Sequence, residues 1–241
     1  MTAASLLIDC WESAGRAPDS WRALAMLVPA TGGAELRSLA ELPVGRCDAW
    51  LLELRRRLFG EHIDALARCP SCGVTVEVEL DLSDISMAPP DDLPLHVEHE
   101  GWALEFRLPD SRDLMAASSA AGTVEAERLL IARCVLRVTR HSRERALEDA
   151  PAELINLMDL RMAVADPQAD MRLTLQCASC KATWDAGLEA AAFVAAEVTA
   201  GAKRLLGEVH RLAAAYGWSE AEILSLAPQR RQAYLELVEG E

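Results

Sequence analysis

The sequence has no apolar run approaching the roughly 20 residues that a membrane-spanning helix needs, so membrane insertion is not expected. It has no basic residue before Arg16, and Asp9 cuts the first apolar stretch short. Both features argue against a secretory signal and point to the cytosol. Positive charge is also scarce. Twenty-four basic residues stand against 38 acidic ones, a formal charge of −14, which repels a phosphate backbone and makes nucleic acid a poor partner. The densest basic patch, Arg55-Arg56-Arg57, is short and falls in a helical pattern, where it reads as a solvated face.

Chemical constellations are missing as well. The chain has no glycine-rich phosphate loop and no serine or cysteine nucleophile with a recognisable activating group, so no enzymatic activity is expected. His96 and His99 lie three apart on an expected strand and would face opposite ways, while His210 sits alone in a helical segment. There is no tandem repeat.

What remains is a chain of 241 residues, 51% hydrophobic, long enough to bury a sizeable core. Leu51, Leu52, Leu54 and Leu58 recur at helical spacing, and a helical N-terminal segment is expected to about residue 65. From Val74 to Asp81 apolar and polar residues alternate with the period of a strand. Pro89 to Asp92 forms a loop, and His96–His99 with Trp102–Leu108 reads as a hairpin turning at Glu100-Gly101. Helices should follow at Asp110–Ser111, from Thr123 to about Val138, and from Pro151 to about Asp166. Met171, Leu173 and Leu175 then alternate as a strand. The last quarter reads as a long helix over about 188–216, a break at Gly217, and two short helices, the first with Ser219 and Glu222 as a capping box.

Seven cysteines in a reducing compartment do not suggest a disulfide framework. Four of them form two Cys-x-x-Cys turns, Cys69/Cys72 and Cys177/Cys180, and each pair has a strand pattern beside it. Two such turns supply the four thiolates of a closed tetrahedral zinc site, which is structural because it leaves no open position for catalysis. About a hundred residues separate the pairs, a tolerable insertion because loop-closure cost grows only logarithmically with length. One structural Zn²⁺ per chain is the leading reading. Reduced structural cysteines are a second reading, and a thiol-disulfide oxidoreductase is the third, although the strand-turn-helix context of a thioredoxin-like pair is missing. Cys10, Cys47 and Cys134 fall in apolar helical patterns and read as small buried residues.

The fold class expected is therefore α+β, mainly helical, with a small antiparallel β zinc-ribbon-like element joining two distant CxxC knuckles. The divisions are a helical segment over 1–65, the zinc-ribbon-like element with an inserted hairpin and helices over 66–187, and a helical segment over 188–241, or all three as one domain. Near the C-terminus Tyr216, Trp218, Arg230, Arg231 and Tyr234 are of the types enriched at interface hot spots, and are candidate partner-binding residues. The same stretch can equally be a core-facing helix hairpin.

The segment Leu205–Leu226, with Leu205-Leu206-Gly207-Glu208-Val209-His210-Arg211 and Tyr216-Gly217-Trp218-Ser219, resembles the baseplate hub assembly chaperone family of T-even-type contractile phages. Pro228–Val238, Cys69-Pro70-Ser71-Cys72-Gly73, Leu108–Leu114 and Ala165-Asp166-Pro167 continue the likeness, which runs from about Leu42 to Val238. The resemblance implies a non-enzymatic assembly factor or minor structural part of the baseplate hub in a phage tail or phage-tail-like injection system. Its partners would be baseplate or hub proteins. Cys177-Ala178-Ser179-Cys180-Lys181 departs from the pattern by lacking the proline and glycine of the first knuckle.

Overall fold

The computed structural model describes residues 2–91 and 93–240. Met1, at the start of the expected non-secretory N-terminus, Asp92 of the expected loop, and Glu241 lie outside the described residues. Along the chain run helices α1 (Ala3–Arg16), α2 (Arg22–Ala30), α3 (Leu36–Ala40) and α4 (Val44–Phe59), then strands β1 (His62–Arg68) and β2 (Thr75–Asp81). A short helix α5 (Leu82–Ile85), strands β3 (Leu95–His99) and β4 (Trp102–Phe106), and helices α6 (Ser111–Ser118) and α7 (Thr123–Cys134) follow. After β5 (Val135–Arg140) and β6 (Arg143–Glu144) come α8 (Ala152–Ala165), β7 (Arg172–Gln176), β8 (Thr183–Gly187), and the helices α9 (Ala190–Tyr216), α10 (Glu220–Ser225) and α11 (Pro228–Glu239). The class is α+β with small antiparallel sheets.

The chain divides into two compact units, and the division falls inside α4. The first unit is formed by Met1–Ala34, Leu51–Glu61 and Ala190–Glu241, so the two ends of the chain fold together. It is helical. Val194, Val198, Ala202, Leu205, Val209 and Leu212 recur every three or four residues along α9 and are buried, and Leu6, Leu7, Cys10 and Ala14 form the matching stripe on α1. Arg55 was expected on a solvated face but is buried, with its Nε donating to Glu197 Oε2 at 2.9 Å and its Nη1 to the Gly60 carbonyl at 2.6 Å. Its place in a run of three arginines concealed this, because only one face of α4 turns inward.

The second unit comprises Glu35–Trp50 and His62–Glu189. Its largest sheet has the order β3-β4-β5-β6, with Leu95 opposite Phe106 and His99 opposite Trp102 across the expected hairpin. Trp102, Leu104 and Phe106 point to one face of β4 and form a core with Cys134, Val138, Leu154 and Met158. The helix expected to reach Val138 ends at Cys134, where β-branched Val135 starts a strand that pairs with β4. Asp110 caps α6 in a reciprocal box with Asp113, and Arg107 and Arg133 hold the fully buried Asp113 carboxylate, at 3.0 Å and 2.8 Å to Oδ1. The Leu108–Leu114 segment is thus a framework of charge-assisted hydrogen bonds.

The other two sheets are two-stranded ribbons, β1-β2 and β7-β8. The helical reading to about residue 65 is corrected here: α4 stops at Phe59, and His62 begins β1, which pairs with β2 in register from His62 opposite Asp81 to Arg68 opposite Thr75.

Candidate metal centre

Each ribbon ends in a Cys-x-x-Cys turn. In the first, the Cys69 amide donates to the Val74 carbonyl at 2.9 Å and the Gly73 amide to the Cys69 carbonyl at 2.9 Å. In the second, the Cys177 amide donates to the Ala182 carbonyl and the Lys181 amide to the Cys177 carbonyl, both at 2.9 Å. The hydrogen bonding is the same, position for position. Each turn also has a residue of positive φ directly after its second cysteine, +74° at Gly73 and +63° at Lys181. The absent glycine of the second knuckle therefore does not change the turn; Lys181 adopts the left-handed conformation that glycine takes in the first.

The two turns meet. Cys69 Sγ lies 3.7 Å from Cys180 Sγ and Cys72 Sγ lies 3.7 Å from Cys177 Sγ, and all four sulfurs fall within 4.8 Å of one another. Tetrahedral coordination with metal–sulfur bonds of about 2.3 Å sets sulfur–sulfur edges of about 3.8 Å, so the arrangement fits one ion. The first cysteine of each pair is buried and the second exposed, which gives the cluster the same asymmetry on both sides.

The backbone favours the thiolate at Cys69 and Cys177. The amide of Cys72 lowers the Cys69 thiol from its ordinary value, and the amide of Cys180 brings Cys177 down to about 6. The Val74 amide acts in the same direction on Cys72, but hydrogen bonding with Cys180 and Cys177 together with burial pushes that thiol up to about 12. Four thiols this close cannot all ionise without a cation among them. Cys10, Cys47 and Cys134 lie elsewhere, buried, with burial pushing each thiol up to about 12.

The ribbons have little else to hold them. Ile63 is the one buried residue in their four strands, and the other positions alternate between exposed and partly covered. A two-stranded ribbon alone is marginally stable in water. The four cysteines lie where the hydrophobic contribution is smallest.

The model of the family described as T4 bacteriophage base plate protein matches residues 30–189, about two thirds of the chain, and encloses both knuckles and the sheet between them. The chain belongs to this baseplate protein family. The C-terminal residues Leu205–Val238, where the likeness noted from the sequence is densest, lie beyond the matched residues. No curated protein and no solved structure matches the chain.

In the baseplate protein's helical unit, Tyr216 and Trp218 stack with ring centroids 4.7 Å apart across the Gly217 break, and Tyr234 meets Trp218 edge-on at 4.8 Å. The Arg230 guanidinium lies 6.0 Å from the Tyr234 ring. Arg231 is turned inward: it is buried, and its Nε donates to Glu208 Oε2 at 2.6 Å. The five candidate residues thus lie close together, four at the surface or partly exposed and one beneath.

Proposed function

We propose that this baseplate protein is a non-enzymatic assembly factor or minor component of the baseplate hub in a contractile phage tail or phage-tail-like injection system, with one structural zinc held by Cys69, Cys72, Cys177 and Cys180. The observation that carries the reading is the meeting of two knuckles 105 positions apart within the family-matched residues. A soft, closed set of four sulfur donors suits Zn²⁺ and leaves no coordination site for substrate. The metal's role is then to join the ends of the segment that contains β3 to β6 and α6 to α8. Metal affinity becomes folding free energy, on the order of 10 kcal/mol for such sites.

Partner recognition is assigned to the C-terminal surface. Tyr216, Trp218 and Tyr234 offer three rings in one cluster, with Arg230 beside them, while Arg231 supports α11 from below through Glu208. Aromatic rings and arginine dominate interface energetics because they bury large area at low entropic cost. The chain acts in the cytosol, where tails are assembled.

The test is quantitative mass spectrometry of baseplate intermediates and of finished particles from cells that make them, with metal analysis of the untagged protein. Presence in intermediates only identifies an assembly factor, and presence in both identifies a component. Absence from both, or a purified chain without zinc, overturns the corresponding half of the proposal.

A further inference from the structure

Ribbon β1-β2 is joined at one end by its knuckle, and at the other end His62 opens β1 while Asp81 closes β2. Antiparallel pairing sets these two residues directly opposite each other, and Asp64, two positions along β1, points to the same face of the strand. Neighbours on one face of a two-stranded ribbon are near enough for their side chains to meet. Here they do. His62 Nδ1 lies 3.1 Å from Asp81 Oδ1 and Nε2 lies 3.2 Å from Asp64 Oδ1, so one imidazole bridges two carboxylates with both of its nitrogens.

This geometry sets the protonation state. Carboxylate oxygens only accept hydrogen bonds, so each ring nitrogen must supply an N–H. A neutral imidazole carries one N–H and an imidazolium carries two. We propose that His62 is held as an imidazolium, with Nδ1–H donating to Asp81 and Nε2–H to Asp64, and that this proton-dependent clasp ties the end of the ribbon remote from the cysteines. A neutral ring would set a nitrogen lone pair against one of the carboxylates and break half of the clasp.

The surroundings agree. Glu79 stands opposite Asp64 in the ladder, a like-charge pairing that is destabilising unless positive charge lies beside it. Asp84 of α5 accepts the Asp81 amide at 3.3 Å and adds another acidic group, while Glu61, the residue before His62, is engaged by Arg56 at 2.9 Å. The His62 cation offsets this local excess of negative charge. The hydrogen bond to Asp81 raises His62 above its ordinary 6.5, assisted by the charge and hydrogen bond of Asp64 and opposed by partial loss of water.

The sign of the pH effect follows from the raised value. The folded ribbon binds the proton more tightly than the unfolded chain, so the contribution of the clasp is complete below 6.5 and is lost as pH rises through the folded value. The side chains of His62, Asp64 and Asp81 are 57%, 81% and 53% exposed, so water screens the clasp. Its effect is confined to fraying of the ribbon end and amounts to a change of up to about fivefold in the opening equilibrium.

The experiment follows the His62 imidazole by NMR through a pH titration of the protein as purified, with its resonances assigned by their absence from His62→Gln. Wild type should titrate above 6.5, and both ring nitrogens should carry a proton on the acid side. Asp81→Asn and Asp64→Asn should each lower the value. Asparagine caps a helix as well as aspartate does, so Asp81→Asn leaves the start of α5 intact. Hydrogen exchange at the His62 end of β1 and β2 reads the structural consequence. Protection in wild type relative to His62→Gln should be larger below 6.5 than well above it, by up to about fivefold. A His62 value at or below 6.5, a value that either aspartate substitution leaves unchanged, or a protection ratio independent of pH overturns the clasp.

Discussion

In the helical unit, stability comes from long stripes of buried leucine, valine and alanine on α1, α2 and α9, and among the described residues no cysteine cluster takes part. In the sheet-containing unit the core under β4 is of the same apolar kind, but the two ribbons beside it bury almost no side chains. Hydrophobic burial yields roughly 25 cal/mol per Å² removed from water, so strands that remove little area must be held otherwise. The comparison sets apolar area, where helices present a broad face, against ribbons that bury little and share four clustered cysteines, which under the proposed zinc reading are the second source of stability.

The strongest way to break this comparison is Cys177→Ser. Loss of one ligand removes metal-linked folding energy on the order of 10 kcal/mol. Hydrogen exchange should then become fast at the amides of β1, β2, β7 and β8, while α1 and α9 keep their protection. Ribbon amides as protected as in the wild type, in a variant that binds no zinc, would show that the ribbons need no metal.

The converse experiment attacks the helical unit. Arg55 is 4% exposed at its side chain and pairs with Glu197, which is 28% exposed. Arg55→Ala leaves that carboxylate partly buried without its cation and removes the donor to the Gly60 carbonyl, a cost of about 3 kcal/mol. The loss should appear as earlier unfolding of the helical unit in denaturant, with zinc content unchanged. A matching loss of zinc would mean that the two sources of stability are not separate.

The same contrast explains what could be read from sequence. Helices α4 and α9 were legible because helical spacing needs only apolar residues at every third or fourth position. The cysteine cluster was visible because Cys-x-x-Cys spacing is local, although the pairs are distant. Strand β1 was hidden: its inward positions after Ile63 are the small Ala65 and Ala67, while the outward Leu66 is 73% exposed, so the alternation is inverted in hydropathy. Strand β5 was hidden because Val135, Leu136 and Val138 continue the apolar pattern of α7, and only pairing with β4 decides for a strand. Gly45 and Asp166 have no spacing that links them; the Gly45 amide and the Asp166 carboxylate meet only in the fold. Arg55 shows the same limit, since a run of like charges does not tell which member turns inward.

The finest comparison is between the two knuckles, which have the same hydrogen bonds but different residues after the second cysteine. A left-handed conformation costs a residue with a Cβ roughly 1–2 kcal/mol, whereas glycine adopts it freely. Part of that cost returns when glycine is introduced, because the unfolded chain gains roughly 0.4–1 kcal/mol of conformational freedom. Lys181→Gly should therefore stabilise the second knuckle by about 0.5 kcal/mol, while Gly73→Lys should cost the first about 1 kcal/mol. Both effects should appear as shifts in thermal midpoint and as changes of the same sign in zinc retention against a chelator. The +63° backbone angle at Lys181 is then a small strain held by the cluster. If Lys181→Gly were instead destabilising, the lysine side chain would be contributing more at this position than its backbone conformation costs.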